Sequence, residues 1–147
     1  MNNQLCNAAN LTAASFLMRW IVGVLFFMAG YWKIFTLTAQ VHAEKFFIAA
    51  YADSWIPQWL LTAGGYTIPY WELIAGFLIC VGWQLRHALI SVGVLLIITT
   101  YGHALATPLF DIDGQTFTRL MLIIGVLILG WQRDKTTVEF WLSHNKK

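Results

Sequence analysis

The sequence predicts an all-α integral membrane protein, a bundle of four spanning helices, and three observations lead there. Of 147 residues, 59% are hydrophobic and only 11% are charged, whereas soluble domains carry about 45–50% and about 25%. The apolar residues gather into runs near the roughly 20 residues that cross a hydrocarbon core. The Lys and Arg residues stand at the ends of those runs. The length is that of one domain, and four spans use more than half of it, leaving no room for a soluble domain. A net charge of +2, with basic residues confined to run ends, gives no nucleic-acid footprint.

The first span is expected at about 15–35, SFLMRWIVGVLFFMAGYWKIF, with Arg19 near its start and Lys33 near its end, both placed to snorkel. The residues before it lack the basic start and apolar run of a signal peptide, so the segment should remain as a helix. The stretch 42–61 holds Lys45, Asp53, Pro57 and the aromatics Phe46, Phe47, Tyr51, Trp55 and Trp59. It is too broken to span, and reads as a short interfacial or re-entrant helix plus a turn, ended by Gly64-Gly65.

The second span, about 68–85, opens at Thr67-Ile68-Pro69, where proline suits the first helical turn. Arg86-His87 is read as a very short connection to a third span at about 88–107, which Pro108 stops. Asp111, Asp113 and Gly114 form a polar turn, a short fourth span covers about 117–131, and the tail 132–147 carries a surface-lying piece at 138–142. The glycines within the spans read as close-packing positions.

Four spans place both termini on one side. That side carries Arg19, Arg86, Arg133, Lys135, Lys146 and Lys147, against Lys33, Lys45 and Arg119 on the other. The positive-inside rule then makes both termini cytoplasmic, and the long first connection and the Asp111-Asp113 turn face outward, to the periplasm if the cell is Gram-negative. Cys6 and Cys80 form no Cys-x-x-Cys pair, so a built-in dithiol is not expected.

Lys33, Glu72, His103 and Arg119 fall at the outward ends of four different helices, about one turn inside each end, which makes them the candidate polar pocket. Glu72 is the most informative, because a carboxylate within a span faces protein or water. It also has a plain structural reading, as the neutralising partner of Lys33 or Arg119. His103 reads as a hydrogen-bonded helix-end residue, or as a proton carrier or ligand. His42 lies on the same side, leaving a two-histidine haem or metal site open without any spacing to fix it, and no metal site is assigned. Tyr31, Trp55, Tyr70 and Trp71 at this boundary form an aromatic belt, or walls that would suit a quinone or a lipid. No intrinsic cofactor is evident.

With these residues placed, the chain resembles the DoxX/DoxD family of small membrane proteins over nearly its whole length. The matching elements are Arg19, Gly23, Gly30 and Lys33 in the first helix, Pro69, Glu72, Gly76 and Gly82 in the second, then Arg86, and Tyr101-Gly102-His103 closing the third. The resemblance implies a four-helix bundle tied to redox chemistry, as a subunit beside larger membrane partners or as a homo-oligomer. It assigns no roles to the four polar positions. Relatives that exchange thiols carry paired cysteines, which this chain lacks. The expected function is an accessory or anchor subunit of a redox, quinone-linked complex. The rivals are a stand-alone membrane enzyme with Glu72 and His103 as acid and base, and a small transporter.

Overall fold

A computed structural model describes residues 2–106, 116–129 and 134–144, with side chains from residue 7. These residues form helices and turns with no strand among them. α1 (Asn2–Tyr31) runs on through a π-helical turn, Trp32–Thr36, and α2 (Ala39–Ala43) through a second, Glu44–Ile48. α3 (Gln58–Val81), α4 (Leu85–Ala106), α5 (Thr118–Leu129) and α6 (Val138–His144) follow. Three stretches are long and apolar enough to cross a membrane: Asn7–Thr36, Gln58–Val81 and Leu85–Ala106. α5 is an apolar helix of 12 residues. The expected turn at Asp111, Asp113 and Gly114, together with Pro108, Arg133, Lys146 and Lys147, lies outside the described residues.

The distribution of polarity is the reverse of that in a water-soluble bundle. Ile97 and Ile128 are 70% and 78% exposed, while Arg19 and Asp134 are buried. A helix bundle in water turns its polar residues outward, so the apolar exterior and charged interior suit lipid. The core joins Val22 and Phe26 of α1, Ile68, Ala75 and Ile79 of α3, Leu89 and Val92 of α4, and Ile123 and Val126 of α5.

The most extensive pairing is α1 with α3. A Cβ on Gly30 would stand 2.5 Å from the Leu73 nitrogen and 2.6 Å from the Pro69 oxygen, and one on Gly76 would collide with the Phe27 backbone. A Cβ on Gly23 would meet Cys80 Sγ at 2.6 Å. Glycines on both helices therefore let the backbones touch, which matters in lipid, where van der Waals packing replaces the hydrophobic drive between helices.

Several boundaries differ from the sequence expectation. α1 begins well before residue 15. The broken stretch is helical over 39–48, turns through 49–57, and passes into α3 at Gln58, ten residues ahead of the expected second span. Gly64-Gly65 does not end anything, since both lie inside α3, and Pro69 is mid-helix rather than in the first turn. The glycines are a docking surface: a Cβ on Gly65 would meet Ala43 Cα at 2.7 Å, and one on Gly64 would meet the Phe47 ring at 3.3 Å. Packing of the α2 segment thus overrides the local helix-breaking tendency of the pair. Arg86 and His87 belong to the first turn of α4, and the connection is Gly82–Gln84, where positive φ values at Gly82 (72°) and Gln84 (46°) reverse the chain.

The seam makes a paired prediction. Gly76→Ala should destabilise the protein by about 1–3 kcal/mol, because two backbones must separate. Gly93, with nothing within 4 Å of its would-be Cβ, should accept alanine neutrally or gain about 0.5–1 kcal/mol. Unfolding titrations in mixed detergent micelles check both values.

Candidate functional site: two charged ends of one helix seam

Arg19 on α1 and Lys33 in the π turn that continues it lie 14 residues apart, about 21 Å along the axis, and each meets α3 at one end of the seam. Snorkelling does not describe Arg19, which is 1% exposed. Its Nε donates to Asp134 Oδ2 at 2.7 Å, Nη2 donates to Thr136 Oγ1 at 2.8 Å, and Nη1 donates to the Ile79 oxygen at 3.0 Å and to the Cys80 oxygen. Those two carbonyls belong to the last turn of α3, where the helix dipole favours a cation. Thr136 N–H in turn donates to Asp134 Oδ1 at 3.0 Å, and Glu139 N–H donates to the Gly82 oxygen at 3.3 Å. Asp134, 0% exposed, is the partner that sequence reading missed. Between Arg133 and Lys135 it looks like one more charge of a solvated tail, and only the Asp-x-Thr spacing hints at a built turn.

At the other end, Lys33 Nζ donates to Glu72 Oε2 at 2.6 Å. Glu72 is 3% exposed, whereas the Lys33 side chain is 23% exposed. The π turn Trp32–Thr36 holds Lys33, closing with Leu37 N–H on the Trp32 oxygen at 2.9 Å. Such turns change the direction of side chains and recur at functional sites. Arg119, in the first turn of α5, is half-buried with its Cζ 5.7 Å from the centre of the Phe26 ring, and its charge reaches Glu72. His103, near the end of α4, is exposed and within the fields of both Lys33 and Arg119. Of the four candidates, Lys33 and Glu72 are thus in contact, and Arg119 and His103 stand within electrostatic range.

His42 is placed by a different need. Pro69 has no N–H, so the carbonyl of Gly65 four residues earlier loses its helical donor. His42 Nδ1 lies 2.8 Å from that oxygen, which fixes the proton on Nδ1 because the carbonyl can only accept. The imidazole is 4% exposed and packed against Phe46 and Phe47. Nδ1 is thereby committed to the backbone, and Nε2 is the nitrogen that remains. Among the described residues no three His, Cys, Asp or Glu side chains gather as a metal-binding group.

The aromatic candidates do not line a common chamber. Tyr31, Trp55 and Tyr70 are exposed, and Trp71 packs partly buried against the core. Tyr31 instead lies along α1, its ring 4.8 Å from that of Phe35. A cavity of about 220 Å³ opens nearby, lined by Ile48, Tyr51, Ala52, Ile56, Gln58 and Leu61. The Tyr51 hydroxyl would be 3.1 Å from a Cβ on Gly102, so this cavity adjoins α4 beside His103.

The chain matches no family model, no curated protein and no solved structure. The site is therefore described by its own chemistry: a buried carboxylate neutralised by a half-open lysine, with an arginine and a histidine close by.

Both buried polar contacts can be tested by substitution. Glu72→Gln or Lys33→Met alone should cost up to about 3–5 kcal/mol, and the double variant less than their sum, since breaking a buried pair leaves one charge uncompensated. A double-mutant cycle on detergent melting measures the coupling. His42→Phe should cost about 1–3 kcal/mol by stranding the Gly65 carbonyl, and much of that cost should vanish on a Pro69→Ala background, where a backbone N–H is restored.

His42 also gives a pH dependence. Burial lowers its pKa from the ordinary 6.5; the bond to Gly65 opposes this, and the Lys33 charge adds to it. The folded state thus disfavours the cation, so stability is full above 6.5 and declines as pH falls below it. Melting curves from pH 7.5 downward should show this decline, flattened in His42→Phe.

Proposed function

We propose that this chain is a small integral membrane subunit of a redox complex, related to the DoxX/DoxD family. Its Lys33–Glu72 end would receive a small amphipathic molecule of the quinone class. The four-helix bundle, the bacterial inner membrane and cytoplasmic termini belong to the same reading, which puts the Lys33 end on the outer face. The observation that carries it is Glu72, 3% exposed and bonded to Lys33 at 2.6 Å, in a chain with three helices of spanning length. Ionisable groups at membrane depth are costly and mark functional sites. Lys33 offers donors to a ring carbonyl, and His103 offers a proton-exchanging group.

Purification in mild detergent, with mass spectrometry of partners and lipids and an ultraviolet–visible spectrum, tests the reading. The expected result is larger partner subunits and extractable quinone, with Glu72→Gln losing the quinone while remaining folded. Isolation of the chain alone, active and free of quinone, would replace the subunit by the stand-alone enzyme or transporter built on Glu72 and His103.

A further inference from the structure

We propose that Arg119 is an oxyanion-binding residue, and that the Lys33 end takes a ligand presenting a phosphate or carboxylate group to its guanidinium. This role goes beyond quinone binding and does not depend on it.

The chain contrasts two arginines at opposite ends of the same bundle. Arg19 spends four of its five N–H groups on Asp134, Thr136 and two carbonyls of α3, and is 1% exposed. Arg119 is half-buried, yet among the described residues it has no hydrogen-bond or ion-pair partner. The carboxylate within reach of its charge among the described residues, Glu72, is already bonded to Lys33 at 2.6 Å. Among the described residues, Lys33, Glu72 and Arg119 therefore sum to one positive charge with no second carboxylate paired to it, a state that low-dielectric surroundings penalise.

The guanidinium is also oriented for use. Its Cζ stands 5.7 Å from the centre of the Phe26 ring, and Phe26 is buried. A cation over an aromatic ring is held in place without consuming N–H donors. The donors that remain form the planar fork that matches carboxylate or phosphate oxygens two at a time. The oxyanion has two sources with the same chemistry: the headgroup of an anionic lipid, or a soluble phosphate or carboxylate entering from the aqueous side.

The full chain in neutral maltoside detergent distinguishes them by melting temperature. One arm adds inorganic phosphate against chloride at matched ionic strength; the other adds phosphatidylglycerol against phosphatidylcholine. A saturable rise with phosphate assigns a soluble oxyanion, and a rise with phosphatidylglycerol alone assigns the lipid. In either case Arg119→Gln should abolish the rise, whereas Arg86→Gln, exposed at the other end of α4, should retain it. If Arg119→Gln fails to fold, Arg119→Lys, which keeps the charge and loses the fork, should bind the same anion about tenfold more weakly. No rise with either anion, or an equal rise in the Arg119 variants, overturns the assignment. Loss of quinone binding with the anion response intact would remove the quinone proposal and leave this one standing.

Discussion

The contact on which the rest depends is the backbone-to-backbone approach of α1 and α3. Gly23, Gly30 and Gly76 bring the two helices so close that little else fits between them. That closeness sets the reach of the charges at either end. Arg19 can lie across the final carbonyls of α3 because the helices touch beside it at Gly23 and Cys80. Lys33 meets Glu72 because Gly30 removes the side chain that would hold them apart. Small residues here determine electrostatics as well as packing.

Pro69 turns a defect into a joint. Its missing donor exposes the Gly65 carbonyl, and Gly65 lacks the Cβ that would keep α2 away, so His42 can approach and satisfy the oxygen. The proline, the docking of α2 and the neutral state of the imidazole are thus one arrangement. Glu72 follows Pro69 by three residues in the same helix, so the geometry around the carboxylate is tied to this joint.

Much of the architecture was legible because lipid imposes a coarse constraint. Long apolar runs with charges at their ends suit spanning helices and little else, and the expectation of helices near those runs followed. The pairing of Glu72 with a basic neighbour was legible for the same reason, as a carboxylate at that depth demands one. The joint at Pro69 was not. Local rules read Gly64-Gly65 as a stop and Pro69 as a start, and both rules gave way to contacts with Ala43, Phe47 and His42. Nor was Asp134, since only its Asp-x-Thr spacing sets it apart from the charged residues beside it in the sequence, and that spacing does not reveal the bond to Arg19. Contacts between distant segments leave no periodicity to read.

The Arg19–Asp134 bond has a consequence for biosynthesis. The two residues are 115 positions apart, so Arg19 is synthesised and threaded into the bilayer long before its counter-ion leaves the ribosome. Through that interval it sits near a membrane boundary with its stem in the hydrocarbon and its head reaching water, a placement the membrane tolerates at modest cost. The α1–α3 contact can form early, but the guanidinium is drawn fully inside only when the segment around Asp134 arrives. Maturation of the bundle is therefore ordered in time, with the segment around Asp134 and Thr136 acting as the clasp that closes contacts already made.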